Sequence, residues 1–97
     1  MQDNQKAISI HSDYTEAYTN SGYAKLKTDD LFGALDDFNR SNAVSPIFAN
    51  PYCGRGVVNL ELGDFYSGCL DLEKAGDLGM KKAYEMLRDI EEEFEEE

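Results

Sequence analysis

At 97 residues and 10.9 kDa the chain has room for one small domain. A hydrophobic fraction of 41%, with six tyrosines and five phenylalanines, supports a core and excludes disorder throughout. Nine Lys and Arg against 20 Asp and Glu give a formal charge of −11, which excludes a nucleic-acid surface because phosphate contacts need clustered cations.

Residues 1–12 read as the end of a helix, with Lys6-Ala7-Ile8-Ser9-Ile10 as its exit and His11 in a surface turn. Over 14–27, Ala17, Tyr18, Gly22 and Leu26 recur at helical steps of three and four. Asp29-Asp30 breaks that pattern, and Asp30 is placed to N-cap a helix over 31–44. Leu31, Ala34, Leu35, Phe38 and Ser41 form its buried stripe, and Pro46 stops it. Asn50 and Pro51 predict an N-cap and first helical residue for a helix reaching about 62. Gly63-Asp64 turns the chain, 65–74 runs back, and Gly76 and Gly79 close that helix. A last helix over 80–92 carries Ala83, Met86, Leu87 and Ile90 on one face. No strand signal competes, so the expected class is all-α. Six of the acids lie in 91–97, which reads as a solvated helix end or frayed tail; without them 14 acids face 9 bases.

The elements repeat every 34 residues. Tyr18 matches Tyr52, Gly22 matches Gly56, Asp30 matches Asp64, Leu31 matches Phe65, Ala34 matches Gly68, and Phe38 matches Leu72. Two positions recur three times: Ala7, Ser41 and Ala75 are small, and Ile10, Val44 and Leu78 are aliphatic. Glycine in a helix interior costs about 1 kcal/mol relative to alanine. Gly22 and Gly56 are therefore expected to meet the small Ala34 and Gly68 across a close helix contact, with Phe38 and Leu72 filling the space beside it.

A 34-residue helix–turn–helix unit with the pattern W-x2-L-G-x2-Y…A-x3-F…P is the tetratricopeptide signature, and this chain resembles it over residues 13 to about 80. The first unit carries Tyr18-x2-Ser21-Gly22-x2-Lys25, Ala34-x3-Phe38 and Pro46; the second carries Tyr52-x2-Arg55-Gly56-x2-Asn59, Gly68-x3-Leu72 and Met80. Ser21 and Arg55 depart from the usual leucine, Lys25 and Asn59 from the usual aromatic, and Met80 from proline. The resemblance implies antiparallel helix pairs stacked in a right-handed superhelix. One domain over 1–97 is expected, divided into a half-repeat helix (1–12), repeat 1 (13–46), repeat 2 (47–80), a capping helix (81–92) and an acidic tail (93–97). The leading half-repeat is either a cap or the remainder of a longer array, and the acidic last helix suits a solvating cap.

The same resemblance implies a non-catalytic protein-binding module whose concave groove is lined by the first helix of each pair. Carried over by position, the groove residues are Glu16, Thr19, Asn20, Tyr23, Leu26 and Lys27, then Asn50, Cys53, Gly54, Val57, Leu60 and Glu61, then Tyr84, Leu87 and Arg88. Where relatives that grip chaperone C-terminal carboxylates place converging cations, this chain has Thr19, Tyr23, Gly54 and Tyr84, with Arg88 alone in keeping, so no such clamp is expected. The alternative is homodimerisation through the half-repeat edge around Met1, Ile8, Ile10 and Tyr14.

Catalysis is not expected. Asp29/Asp30 has a capping account, and Asp36/Asp37 reads as an exposed pair between Leu35 and Phe38. Cys53 and Cys69 fit no zinc or redox spacing, and His11 has no partner at ligand spacing, so neither metal nor cofactor is expected. Asn39-Arg40-Ser41 matches a glycosylation sequon but falls inside a predicted helix. With no apolar run of membrane length and no signal-peptide pattern, the expected setting is the cytoplasm, away from membranes.

Overall fold

The computed structural model describes the backbone of residues 2–96 and side-chain environments across 14–93. Five helices follow one another: α1 (Gln2–Lys27), α2 (Leu31–Val44), α3 (Ala49–Glu61), α4 (Phe65–Asp77) and α5 (Lys81–Glu96). Sequence neighbours pack on one another throughout, and α1 also reaches α3. The array measures 56 × 27 × 16 Å with a radius of gyration of 14.5 Å, against about 12.5 Å for a globular chain of this length.

Two of the turns are built alike. Asp30 accepts a bond from the Gly33 N–H (3.1 Å) at the start of α2, and Asp64 accepts one from the Ser67 N–H (3.2 Å) at the start of α4. Each aspartate therefore satisfies one of the orphan donors of its helix. The residue before each cap takes a positive φ, Asp29 at 63° and Gly63 at 86°, which reverses the chain. At α3 the expectation fails by two residues: Phe48, not Asn50, is the N-cap, and it offers no side-chain bond. Pro51 still lies in the first turn, where its missing N–H costs nothing.

The boundary expected near residue 12 is absent among the described residues, because α1 runs unbroken through it. The reason is local. Stepping back 34 residues from Pro46 gives Ser12, and stepping back 68 from Gly79 gives His11, so neither breaker recurs. The Thr15 carbonyl of α1 accepts from Ser41 of α2, which ties the two helices together there. The apolar side chains expected at the half-repeat edge (Met1, Ile8 and Ile10) and the His11 ring lie outside the described side chains. The acidic tail expected over 93–97 is helical as far as Glu96.

The core holds two clusters. One packs Ala34, Phe38 and Val58 with Tyr23, Leu26, Leu31 and Leu35; the other packs Cys53, Leu72, Ala75 and Ala83 with Leu60, Met86, Leu87 and Ile90. The close contact expected at Gly56 and Gly68 is present, since a Cβ on either would sit 3.0 Å from the other's carbonyl oxygen. At Gly22 the partner differs: a Cβ there would lie 2.7 Å from Phe38 Cε1, and one on Gly54 would overlap the same ring. Phe38, fully buried, is thus wedged between glycines of α1 and α3. Its size demands two bare backbones, where Leu72 in the second unit leaves Gly56 and Gly68 to meet each other.

A second correction concerns Asp37. Asp36 is exposed and pairs with Arg40 (3.1 Å), but Asp37 is buried at 6% exposure. It accepts from the Ser21 hydroxyl (2.6 Å) and pairs with Lys25 (3.0 Å). Thirty-four residues on, Asp71 is buried in the same way, held by two Arg55 bonds (2.9 and 2.8 Å) and one from Asn59 (3.0 Å). All four partners are residues that depart from the tetratricopeptide pattern, so those departures are the other half of two buried polar networks. In the would-be sequon, Ser41 is fully buried within α2.

Candidate binding groove

Residues 15–20 of α1, the first turn of α3 and the α4–α5 turn converge on a groove of about 680 Å³. That volume is in the range of sites that take a ligand or a few side chains. On α1, Glu16 and Asn20 stand one turn apart on the same face, as do Thr15 and Thr19. Phe48, Ala49, Asn50 and Pro51 form the opposite wall, and Leu78, Gly79 and Met80 close one end. Gly79 has φ 111°, a conformation that fits glycine and lets the chain turn sharply into α5.

The polar groups of the groove divide into engaged and unengaged. Thr19 donates to the Thr15 carbonyl (2.7 Å), Ser41 donates to that same carbonyl (3.0 Å), and the two hydroxyls lie 2.8 Å apart. Thr15 Oγ1 itself, in a residue only 4% exposed, has no partner among the described residues. The Asn42 amide, buried in α2, is also unpartnered among them. A buried polar group left unpaired costs about 1–3 kcal/mol, so such atoms mark a place where a further donor or acceptor is wanted.

Of the fifteen residues predicted to line a concave surface, Glu16, Thr19, Asn20 and Asn50 meet in this groove. Tyr23 is half-buried, edge-on to Phe38 (5.0 Å between ring centres), and donates to the Asn50 carbonyl (3.1 Å). Burial, with Cys53 adjacent, pushes its phenol well above the ordinary tyrosine value. Cys53 lies in the core, where burial raises its thiol and makes it a poor nucleophile at neutral pH. Leu60 packs over Gly68, Val57 is half-buried, and Lys27 is exposed in the last turn of α1. Tyr84 lies against Gly76 and donates to Asp77, which places its ring at the α4–α5 contact.

Sequence reasoning missed Thr15, Phe48, Ala49, Pro51, Leu78, Gly79 and Met80 as lining residues. Carrying positions over from first helices alone omits the inter-repeat turns, although Met80 already stood out as a replaced proline. A smaller cavity of about 300 Å³ lies between Leu35, Asn39, Arg55, Asn59, Ser67, Leu70 and Asp71. Its polar side chains are engaged with one another: Arg55 donates to Asn39 (2.9 Å) as well as to Asp71. Among the described residues no three His, Cys, Asp or Glu side chains gather as a metal site, and no helix is long and apolar enough to cross a membrane. Compared with known families and curated proteins, the chain matches no family model and no curated sequence.

Proposed function

We propose that the chain is a non-catalytic protein-interaction module built on tetratricopeptide-like helix pairs, which holds a segment of a partner protein in the groove of α1, α3 and the α4–α5 turn. The observation that carries this reading is the groove itself, which sets apolar Phe48, Pro51 and Met80 beside the amides of Asn20 and Asn50. An amide side chain offers both a donor and an acceptor, which matches the main chain of a bound segment. Catalysis lacks a candidate of equal weight: Asp30 caps a helix, Asp37 and Asp71 are bound by neighbours, and the Cys53 thiol is buried. The proposed setting is the cytoplasm, without cofactor, metal, membrane or nucleic acid, and without a clamp for chaperone carboxylates.

The test is selection of displayed peptides on the immobilised chain, followed by mapping of the bound site by amide chemical shifts. Binders are expected to shift Asn20, Asn50 and Met80. Shifts confined to the opposite surface would overturn the reading.

A second reading, homo-oligomerisation through the leading half-repeat, draws on the apolar residues Met1, Ile8, Ile10 and Tyr14 of that segment and on the exposure of Tyr14. Light scattering across a concentration series distinguishes 10.9 kDa from twice that mass. In a dimer of this kind Ile10→Glu restores the monomer and spares the groove.

A further inference from the structure

Resting on the groove as the binding site, we infer that its occupant is an extended protein segment carrying a lysine or arginine beside an apolar residue. Glu16 is the only charged residue among those lining the groove, is exposed, and has no ion-pair partner among the described residues. Lys81 and Lys82 are exposed just beyond Met80 at the end of the groove, so the preference is set by contact with Glu16 and not by the chain's net −11. At contact the Glu16 carboxylate therefore attracts a cation and repels a carboxylate.

The other groups define what lies next to that cation. The first turn of α3 is uncapped by any side chain, which leaves its N–H donors without a side-chain partner, and its residues Ala49 and Asn50 line the groove. A helix N-terminus carries about half a positive charge, less than the full negative charge of Glu16, so the group that fits there is a neutral carbonyl. The exposed Asn20 and Asn50 amides supply further main-chain pairing. Phe48, Pro51, Leu78 and the adaptable Met80 receive an apolar side chain. A donor for Glu16, carbonyls for α3 and an apolar anchor between them describe one stretch of extended polypeptide.

The probe is a positional-scanning set of fluorescein-labelled octapeptides in which each position is fixed in turn as Arg, Glu, Leu or Ser, read by fluorescence anisotropy. Peptides with Arg at one position and Leu beside it are expected to bind most tightly, and more weakly at high salt. Glu16→Gln lowers the affinity for the Arg peptide about two- to fivefold, the range of an exposed ion pair, and leaves its Ser counterpart unchanged. Glu16→Lys turns the preference at that position toward Glu. Because Glu16 is exposed and unpaired among the described residues, both variants keep the parent melting temperature. Groove binding with no preference for Arg over Glu, or a preference that survives Glu16→Gln, overturns this inference and leaves the binding reading standing. Absence of groove binding by every pool overturns both.

Discussion

Replacing Gly54 by alanine tests the wedge at the centre of the molecule, because two effects of known size oppose each other there. In an exposed helix interior the change stabilises by about 1 kcal/mol through backbone propensity. Here the new methyl would overlap the Phe38 ring, which is fully buried and is held from the other side by Gly22. Overpacking of a filled core costs about 1–3 kcal/mol, so the net change is a loss of up to about 2 kcal/mol. For a domain of this size that is a drop in melting temperature of several degrees, on a scale of about 4–8 °C per kcal/mol. The experiment is a double-mutant cycle followed by circular dichroism in urea. In a Phe38→Leu background the overlap is relieved, and Gly54→Ala is expected to stabilise by about 1 kcal/mol. The sign of the alanine effect therefore reverses between the two backgrounds. A Gly54→Ala protein more stable than the parent, or an effect of one sign in both backgrounds, would refute the wedge.

Two further outcomes follow from the buried acids. Burial pulls the Asp37 carboxyl upward, but the Ser21 hydroxyl and the Lys25 ammonium outweigh it and hold the carboxyl below the usual aspartate range. Its stabilising contribution is thus complete above the unfolded aspartate value of about 3.9 and is lost as pH falls through the lower folded value; urea midpoints from pH 6 to 2 check this, with Asp37→Asn lacking that component. At the second site, Arg55→Met leaves Asp71 buried without its cation and is expected to cost about 3 kcal/mol, the low end for a broken buried pair, since Arg55 keeps 26% of its side chain exposed. The double variant Arg55→Met with Asp71→Leu is expected to be milder, and equal losses in the two proteins would count against the pair.

What could be read from the sequence follows a division in the physics. Helices α2 and α4 announce themselves because Asp30 and Asp64 are strong local caps and the apolar stripes recur at helical spacing. The start of α3 is misplaced by two residues because Pro51 is as compatible with the third helical position as with the first. The continuity of α1 was hidden by the repeat itself: Ala7 and Ile10 match the ends of later second helices, and the pattern draws the eye from the missing breaker at His11 and Ser12. Asp37 was misread because a charged residue between Leu35 and Phe38 looks exposed when only apolar periodicity is counted. The available signal was its match to Asp71 at the repeat spacing, together with the polar residues standing where the pattern expects leucine and aromatic side chains. For the groove, four positions were legible from the first helices, whereas the walls made by turns required the three-dimensional arrangement.

The two buried networks solve one problem with the parts exchanged. In the first unit the neutral partner comes first and the cation a turn later, Ser21 then Lys25; in the second the cation comes first, Arg55 then Asn59. Each leaves one buried acid balanced by one cation and one neutral hydrogen-bonding side chain, so the order of the two is expected to be exchangeable. Lys25→Asn alone removes the cation, and the melting temperature is expected to fall at pH 7, with the gap from the parent narrowing as the pH drops through the lowered Asp37 value. Adding Ser21→Arg recreates the second arrangement in the first unit and is expected to restore most of the loss. The surroundings favour it: Arg55 lies over the Tyr52 ring (5.5 Å), and Tyr18 stands at the matching place in the first unit. Arginine there also gains the bidentate geometry that lysine lacks. If the double replacement melts no higher than Lys25→Asn at pH 7, the two networks are not equivalent, and the departures from the repeat pattern are separate local accidents rather than one substitution made twice.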